Sequence, residues 1–173
     1  MGSSTDIFLV RHAIAVDGGG GLGDEHRYLT GKGRKIFSKI AETLGDQDIR
    51  FDLIVTSPLV RAVQTAEILA QGTRYKGDVV ATPAFGPGGR AMEYLLRTAA
   101  SHQGDKIAFV GHEPRMGQLA GQLLGRTALP FKKGQVMRID FDERIEPGMT
   151  GRFRWALLPS GDRIDSLKDL DAA

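Results

Sequence analysis

Residues 9–13 read "LVRHA" and continue an apolar run that begins at Ile7. A short, uninterrupted apolar run of this kind is typical of a strand that is buried on both faces of a sheet. Such a strand does not continue through a charged pair, so we expect it to end at Arg11 and His12. The two basic residues then lie at one edge of the sheet, where side chains can reach a ligand.

The rest of the chain alternates between similar apolar runs and amphipathic stretches. This alternation predicts a mainly parallel sheet with helices on both faces, which is a three-layer α/β/α sandwich. The predicted strands cover residues 7–10, 53–56, 79–81 and 107–110, and the predicted helices lie near residues 33–44, 58–71, 90–100 and 114–124. The chain has no internal repeat and no linker, so one domain is expected over residues 1–173.

The C-terminal part follows a different pattern, in which apolar and polar residues alternate. The stretches "QVMRIDF" and "RFRWALL" flank the turn-rich "DERIEPGMTG". This arrangement predicts a final hairpin that is added to the sheet, which makes the sheet mixed. Each strand is expected to turn three apolar side chains to one side: Met137, Ile139 and Phe141 in the first strand, and Phe153, Trp155 and Leu157 in the second.

Two local signals concern the ends of the predicted helices. Ser57 suits the N-cap of the second helix, with Pro58 in its first turn. Gly125 suits the position just after the fourth helix, where a left-handed backbone conformation is common. These positions set the limits that we expect for the two helices.

The composition excludes several classes of protein. Hydrophobic residues make up 41% and charged residues 25% of the 173 residues, which is the balance of a globular domain. The formal charge of +2 and the lack of a lysine-rich arm give no reason to expect a nucleic-acid partner. The chain has no cysteine, which excludes disulfides and thiol catalysis. No apolar run approaches the roughly 18 residues of a membrane span and no signal peptide is evident, so we expect a cytoplasmic protein without a membrane partner.

Basic side chains follow three of the predicted strands. Arg11 and His12 end the first strand, Arg61 lies in the first turn of the helix after the second, and His112 ends the run "KIAFVGH". The carboxyl ends of parallel strands meet at one rim of a sheet, so these four side chains are expected to converge. Taken alone, an arginine at such a position is more often a solvated charge, and a histidine is more often structural or exposed than catalytic. The helix dipole disfavours a cation at Arg61, however, and this placement favours an anion nearby.

The predicted cluster of two arginines and two histidines is suited to phosphate chemistry. Guanidinium groups bind phosphate oxygens bidentately, and helix N-terminal amides add further donors. A neutral imidazole can attack phosphorus and carry the group covalently, while a second imidazole, if protonated, would stabilise charge on the equatorial oxygens. Two histidines could also begin a metal site, but ligation needs a third protein ligand and the arginines oppose a cation. We therefore expect neither a metal nor a cofactor.

The motifs around these residues resemble those of the histidine phosphatase superfamily, which has the phosphoglycerate mutase-like fold. "LVRHA" is similar to the family's R-H-G signature, and "YLTGKGR", "VTSPLVRAVQTAE" and "FVGHEPRMGQLAGQLLG" follow in the family's order over residues 7–125. The small size and the "GHEP" segment are most similar to the SixA type of phosphohistidine phosphatase. The resemblance implies that His12 is the nucleophile and that the other three basic residues complete the phosphate pocket. Ala13 stands where the family usually has glycine.

The general acid of the family has no obvious counterpart in this chain. Many members that cleave phosphate esters carry a Glu or Asp near the end of the third strand, whereas this chain has no carboxylate between Val80 and Glu93. Glu93 is expected inside the next helix. A phosphohistidine nitrogen leaves readily once its ring is protonated, so a P–N substrate needs less help from the enzyme. Glu113, directly after His112, is a candidate acid, because the family's phytase branch has a comparable H-D pair; a carboxylate there also suits a helix N-terminus.

A glycine run competes for the same region of the protein. The stretch "DGGGGLGDE" matches the dinucleotide fingerprint G-x-G-x-x-G at Gly18, Gly20 and Gly23. A dinucleotide loop follows its strand closely and opens onto a helix, whereas here "RHAIAVD" intervenes and turn residues follow. We therefore expect a loop that borders the site, in which glycine permits unusual backbone angles. Its polar residues are either substrate contacts or solvated side chains: Asp17, Asp24, Glu25 and His26.

The sequence favours a phosphatase that forms a phosphohistidine intermediate and acts on phosphohistidine in a protein. One alternative is a broad phosphomonoesterase that acts on a small phosphorylated metabolite or a nucleotide. The other is a non-catalytic module that binds phosphate or a phosphoprotein, although the intact set of basic residues argues against it. A mutase is disfavoured, because the short chain offers little cover over the pocket to retain a phosphoryl group.

Overall fold

The computed structural model describes residues 4–102 and 105–173, in which strands and helices alternate. Each of the strands and helices predicted within residues 7–124 is confirmed, with ends that differ by two residues or fewer. Residues 1–3 and 103–104 of the predicted domain lie outside the described residues. In chain order the elements are β1 (Thr5–Arg11), α1 (Gly31–Asp46), β2 (Leu53–Thr56), α2 (Val60–Gly72), β3 (Val79–Ala81), α3 (Ala91–Ser101), β4 (Lys106–Gly111), α4 (Arg115–Leu123), β5 (Val136–Phe141), β6 (Arg152–Leu157), β7 (Arg163–Ile164) and α5 (Leu167–Ala172).

The strands in the described part of the chain form one sheet in the order β3-β2-β4-β1-β5-β6-β7. The first four strands of the chain pair in parallel, and β5, β6 and β7 are added as antiparallel neighbours. Helices α1 and α2 cover one face, and α3 and α4 cover the other. The predicted α/β fold with a mixed, mainly parallel sheet is confirmed. None of the helices within residues 4–102 and 105–173 has the length and apolar character needed to cross a bilayer.

Strand β1 contributes to both hydrophobic cores, because successive side chains of a strand point to opposite faces. Phe8 and Val10 pack in the core beneath α1 and α2, whereas Ile7 and Leu9 pack in the core beneath α3 and α4. All four side chains are fully buried. Burial of each contributes about 1.5–3 kcal/mol to stability. The strand that leads into Arg11 is therefore fixed from both sides.

The register of the parallel strands brings three chain segments to one level. Arg11 pairs with Gly111, and the amide of His12 donates to the carbonyl of Gly111 at 3.0 Å. On the other side of β4, the amide of Ser57 donates to the carbonyl of Val110 at 3.0 Å. The segments that follow β1, β2 and β4 therefore leave the sheet side by side.

The prediction that three apolar side chains share one side of β6 is wrong. A β-bulge between β5 and β6 pairs Arg138 with Trp155 and Ile139 with Phe153, so that Arg154 is the extra residue. A bulge shifts the alternation of side chains by one residue. Phe153 consequently packs against the α3/α4 core, while Trp155 packs in the α1/α2 core. Met137, Ile139 and Phe141 of β5 share the α3/α4 side, as predicted.

The predicted N-cap at Ser57 is also wrong. Helix α2 begins at Val60, and Leu59 is the residue that precedes its first turn. The Ser57 Oγ instead accepts the amide of Leu59 at 3.2 Å and contacts the ring of His112. The hydroxyl therefore stabilises the loop between β2 and α2. Gly125 follows α4 with a φ of 66°, which confirms the predicted end of that helix.

The N-terminus of α1 packs against the segment that leaves β1. The Oγ1 of Thr30 caps α1 by accepting the amide of Gly33 at 2.9 Å, and the amide of Thr30 donates to the carbonyl of Ile14 at 3.0 Å. A Cβ at Gly33 would overlap the carbonyl oxygen of Ile14. A side chain at position 33 would therefore displace the backbone two residues after His12.

We expect Gly33→Ala to lower the free energy of unfolding by about 1–3 kcal/mol, because the backbone that it meets cannot move without disturbing the core. Urea unfolding measures the effect. Gly31→Ala is the matched control: it lies in the same turn of α1, no atom lies within 4 Å of its Cβ position, and its effect should stay within about 0.5 kcal/mol. Equal stabilities of the two variants would contradict the close packing at Gly33.

Candidate active site

The four basic residues predicted from the sequence lie together at the carboxyl ends of β1, β2 and β4. The imidazole rings of His12 and His112 lie with their centroids 5.1 Å apart and their planes tilted by 53°. The charges of Arg11 and Arg61 are close enough to lower the pKa of both rings. His12 and Arg61 are each only 6% exposed. The predicted convergence at one rim is therefore present in the structure.

The ring of His12 is held in one tautomer. Its Nδ1 lies 2.7 Å from the carbonyl oxygen of Ala13, and because a carbonyl only accepts, Nδ1 carries the proton and donates it. The lone pair is therefore on Nε2. Burial, with a smaller contribution from the neighbouring His112, Arg61 and Arg11, lowers the pKa of His12 to about 3 against the bond to Ala13, which raises it. His12 is consequently a neutral imidazole at pH 7, which is the form that attacks phosphorus.

The backbone around His12 is held by residues that the sequence reasoning missed. The amide of Gly134 donates to the carbonyls of Arg11 and His12, at 3.1 and 3.0 Å, and its φ of 82° requires glycine. The amide of Ala13 donates to Thr65 Oγ1 at 3.1 Å. Thr65 belongs to the quoted "VTSPLVRAVQTAE" motif, which is the only signal in the sequence for this role.

Ala13, which stands where the family usually has glycine, fits without strain. Its φ is not positive, so the backbone does not require glycine. Its methyl group is buried in the core beneath α1 and α2. The methyl group therefore adds to the core.

The guanidinium groups of the two arginines are fixed by oxygen atoms of the protein. Arg11 Nη1 donates to the carbonyl of Phe131 at 2.7 Å. Arg61 donates from Nη1 to the carbonyl of Asp24 at 2.7 Å and from Nη2 to the Asp24 carboxylate at 3.2 Å. In both arginines Nε is buried and has no hydrogen-bond partner among the described residues. Each guanidinium therefore keeps a free donor.

His112 is held by a hydroxyl from the neighbouring strand. Its Nε2 lies 2.7 Å from Ser57 Oγ, and its Nδ1 is buried without a partner among the residues described. Burial lowers the pKa of His112 to about 4, and Arg61 adds to the effect. The ring is therefore neutral at pH 7 in the protein alone. A phosphate dianion beside it would raise this pKa.

Glu113 contacts helix α4, while Glu93 lies away from the site. The Oε1 of Glu113 accepts the amide of Gly117 in the first part of α4, at 2.9 Å. Burial raises the pKa of this half-buried carboxyl, and Arg11 opposes the shift. Glu113 therefore makes a contact of the kind expected of a carboxylate at a helix N-terminus. Glu93 is an exposed residue of α3 whose carboxylate lies 3.6 Å from Arg90.

A cavity of about 310 Å³ lies beside His112 and Arg61. Its other walls include Leu59, Phe85 and Pro114, together with the glycine-rich turn at residues 86–88. The side chain of Glu113 also lines it. The walls are partly apolar and also carry charged side chains, so the cavity could take a ligand that has both apolar and charged parts.

The glycine run forms a loop, as predicted, and does not open onto a helix. Gly19, Gly20 and Gly21 all have positive φ, and the chain then forms a single 3₁₀ turn at Asp24–His26. The next α-helix begins at Gly31. The contacts of Asp24 with Arg61 place this loop at the border of the site, and the dinucleotide interpretation does not apply.

Comparison with known proteins agrees with this geometry. The family described as the histidine phosphatase superfamily (branch 1) matches residues 7–85. An uncharacterised protein of Picosynechococcus sp. is 33% identical over 146 residues, which cover 76% of this chain and 82% of that protein. Phosphohistidine phosphatase SixA of Escherichia coli is 24% identical over 157 residues, which cover 88% of this chain and 93% of SixA. The structure of the protein histidine phosphatase SixA complexed with tungstate has a TM-score of 0.79 at 22% identity, and the match covers 90% of this chain and 98% of that one.

The mixed α/β sheet, with two histidines and two arginines at one rim, has the phosphoglycerate mutase-like fold, and the comparisons place the chain among the hydrolases of the phosphatase class. The chain belongs to the histidine phosphatase superfamily. Its substrate is therefore a phosphorylated compound.

We expect both site histidines to remain neutral from pH 8 down to about pH 5, because their pKa values lie near 3 and 4. Long-range ¹H–¹⁵N spectra should show the proton of His12 on Nδ1, with signals assigned from His12→Gln and His112→Gln. The unfolded chain takes up these protons near pH 6.5, so stability should fall as the pH falls from 7 towards 4. A titration midpoint of His12 between pH 6 and 7 would contradict the buried, neutral state.

Proposed function

We propose that this phosphatase transfers a phosphoryl group to Nε2 of His12 and that its substrate is phosphohistidine on a protein. The observation that carries the proposal is the bond from His12 Nδ1 to the carbonyl of Ala13, which leaves the Nε2 lone pair free. In the first step the Nε2–P bond forms while the P–N bond of the substrate breaks. Water then attacks the phosphorus, the Nε2–P bond breaks, and neutral His12 and inorganic phosphate are released.

The other basic residues would stabilise the charge that develops on the equatorial phosphate oxygens. Arg11 and Arg61 are permanent charges whose Nε donors are free, and both are held in place by carbonyl oxygens. If Ser57 donates its hydroxyl proton to Nε2 of His112, the proton of His112 is on the unpartnered Nδ1. These donors are fixed before the substrate binds, so no reorganisation is needed during the reaction.

The nature of the leaving group is inferred from the missing acid. The carboxylate of Glu113 accepts the amide of Gly117, and Glu93 is exposed on α3. An alkoxide leaves poorly without a positioned acid, whereas a phosphohistidine ring that is protonated on its second nitrogen leaves as neutral imidazole. The partly apolar cavity beside His112 has room for such a ring. The likeness to the SixA proteins supports the same substrate class.

One observation favours a phosphomonoesterase as the second candidate function. Burial raises the pKa of Glu113, and its carboxyl lines the cavity where a leaving group would lie. A carboxyl that holds its proton at higher pH is a better general acid. The cost of that role is the loss of the bond to the amide of Gly117, which a protonated carboxyl accepts less strongly.

A phosphoenzyme should form when the protein is mixed with a phosphohistidine-bearing phosphotransfer domain and quenched in alkali. The phosphoryl group on the enzyme should survive alkali and be lost in acid, because a P–N bond is acid-labile, and it should be absent from His12→Ala. His102→Ala is the control, since His102 follows α3 away from the rim, and it should be phosphorylated like the wild type.

A phosphoryl group on His12→Ala would exclude His12 as the nucleophile. Binding without turnover of any phosphorylated compound would favour a binding module.

The substitution Glu113→Gln separates the two substrate classes. The side-chain oxygen of the introduced glutamine can still accept the amide of Gly117, so the variant removes the acid and keeps the helix contact. We expect turnover of the phosphohistidine protein to change by less than about threefold, because the leaving ring brings its own proton. The exposed Glu93→Gln provides the control. Two results together would favour the phosphomonoesterase. The wild type would turn over phosphate esters as efficiently as phosphohistidine, and Glu113→Gln would lower ester turnover by about a hundredfold or more.

A further inference from the structure

Asp24 links the glycine-rich loop to the site through two arginines. Its carbonyl accepts Arg61 Nη1 at 2.7 Å, and its Oδ2 accepts Arg61 Nη2 at 3.2 Å. Its Oδ1 accepts Arg27 Nη1 at 3.0 Å, while Arg27 Nε donates to the carbonyl of Val16 at 2.7 Å. Asp24 is therefore held from one side by its own loop and binds Arg61 on the other.

The contacts of Asp24 use one edge of the Arg61 guanidinium. They engage Nη1 and Nη2, whereas Nε is buried and has no partner among the described residues. A guanidinium binds an oxyanion through two parallel N–H groups, either Nη1 with Nη2 or Nε with one Nη. Because Asp24 occupies the first pair, the Nε edge is the one left for a phosphoryl group. Asp24 and a phosphate are thus compatible on the same arginine.

Arg61 needs acceptors such as those of Asp24, because its position is unfavourable for a cation. Its side chain is 8% exposed, and it lies in the first turn of α2, where the helix dipole repels positive charge. Ordering a long, flexible side chain costs conformational entropy, so a single orientation of Arg61 requires contacts that stabilise it. The carbonyl and the carboxylate of Asp24 supply two acceptors for that purpose.

We propose that Asp24 is a positioning residue, which clamps Arg61 so that its Nε edge faces the phosphoryl group. The clamp comes from the loop of the glycine run, in which Gly19, Gly20 and Gly21 adopt positive φ, and this gives that segment a role in the site. The proposal rests on the proposed function only in taking Arg61 as a ligand of the phosphoryl group. It does not depend on which phosphorylated compound is the substrate.

The opposite interpretation of the same contacts is that Asp24 competes with phosphate. A carboxylate beside Arg61 reduces the positive potential of the site, so its removal would then strengthen anion binding. The two interpretations predict changes of opposite sign in the affinity for a tetrahedral oxyanion. A binding measurement therefore distinguishes them without any turnover.

The test is a double-mutant cycle with Asp24→Ala, Arg61→Ala and the double variant, in which tungstate binding is measured by calorimetry. We expect Asp24→Ala, which removes the contact of the exposed carboxylate with Nη2 and keeps that of the backbone carbonyl with Nη1, to weaken binding by about threefold to fivefold. In the Arg61→Ala background the same substitution should change binding by less than about twofold. Asp24→Asn, which keeps an oxygen acceptor, should recover part of the loss.

Asp165→Ala serves as the matched control, because it removes an exposed aspartate that binds Arg163 at 2.7 Å far from the rim, and it should bind tungstate like the wild type. Thermal unfolding of each variant tests whether the fold is kept. A wild type that binds tungstate but does not turn over phosphohistidine would refute the proposed substrate and leave the role of Asp24 standing. Tighter binding in Asp24→Ala, or an equal loss in both arginine backgrounds, would overturn the positioning role.

Discussion

The bond from the amide of His12 to the carbonyl of Gly111 extends the pairing of β1 and β4 by one step beyond the strands. The chain leaves both strands at that level, and the next residue of β4's segment is His112. Two segments about a hundred residues apart thereby bring two imidazoles within 5.1 Å. The segment after β2 joins them from the other side of β4, and its Ser57 hydroxyl contacts the second ring. The arrangement of the site therefore depends on the register of three parallel strands.

The site combines two arginines that are always charged with two histidines that are charged only when they are protonated. Burial keeps His12 and His112 neutral near pH 7, so the lasting positive charge belongs to Arg11 and Arg61. Four cations at one rim would repel one another, whereas two cations and two neutral rings are tolerated when carbonyl oxygens bind the guanidinium groups. His12, the proposed nucleophile, is unprotonated for the same reason. Desolvation thus keeps both rings neutral and limits the repulsion between charges at the rim.

Much of this molecule could be predicted from its sequence. The strands and helices are marked by apolar runs, and the positions of Arg11, His12, Arg61 and His112 after strand ends predict the shared rim. The functional roles given to these four residues remain proposals. What the sequence gives no sign of is contact between distant side chains. The bond between Arg61 and Asp24 joins residues 37 positions apart, and nothing in either local pattern indicates it.

Other features escaped prediction because they break a regular pattern. The bulge at Arg154 turns the side chain of Phe153 to the opposite face of the sheet from Trp155. The alternation of apolar residues in the sequence does not indicate the extra residue. Ser57 has the composition of a helix cap, but its hydroxyl contacts His112 instead. β7 is too short to leave any periodic pattern. Local preference decided none of these three features, because tertiary contacts outweigh it.

The two outer strands of the sheet, β3 with three residues and β7 with two, have a consequence for the way another protein approaches. Strands of this length offer too few free backbone groups for a second chain to join the sheet as an additional strand. A protein substrate would then touch this enzyme mainly through its modified side chain and the loops around the rim. Contacts of that kind bury little surface, so a complex that depends on them alone would separate quickly.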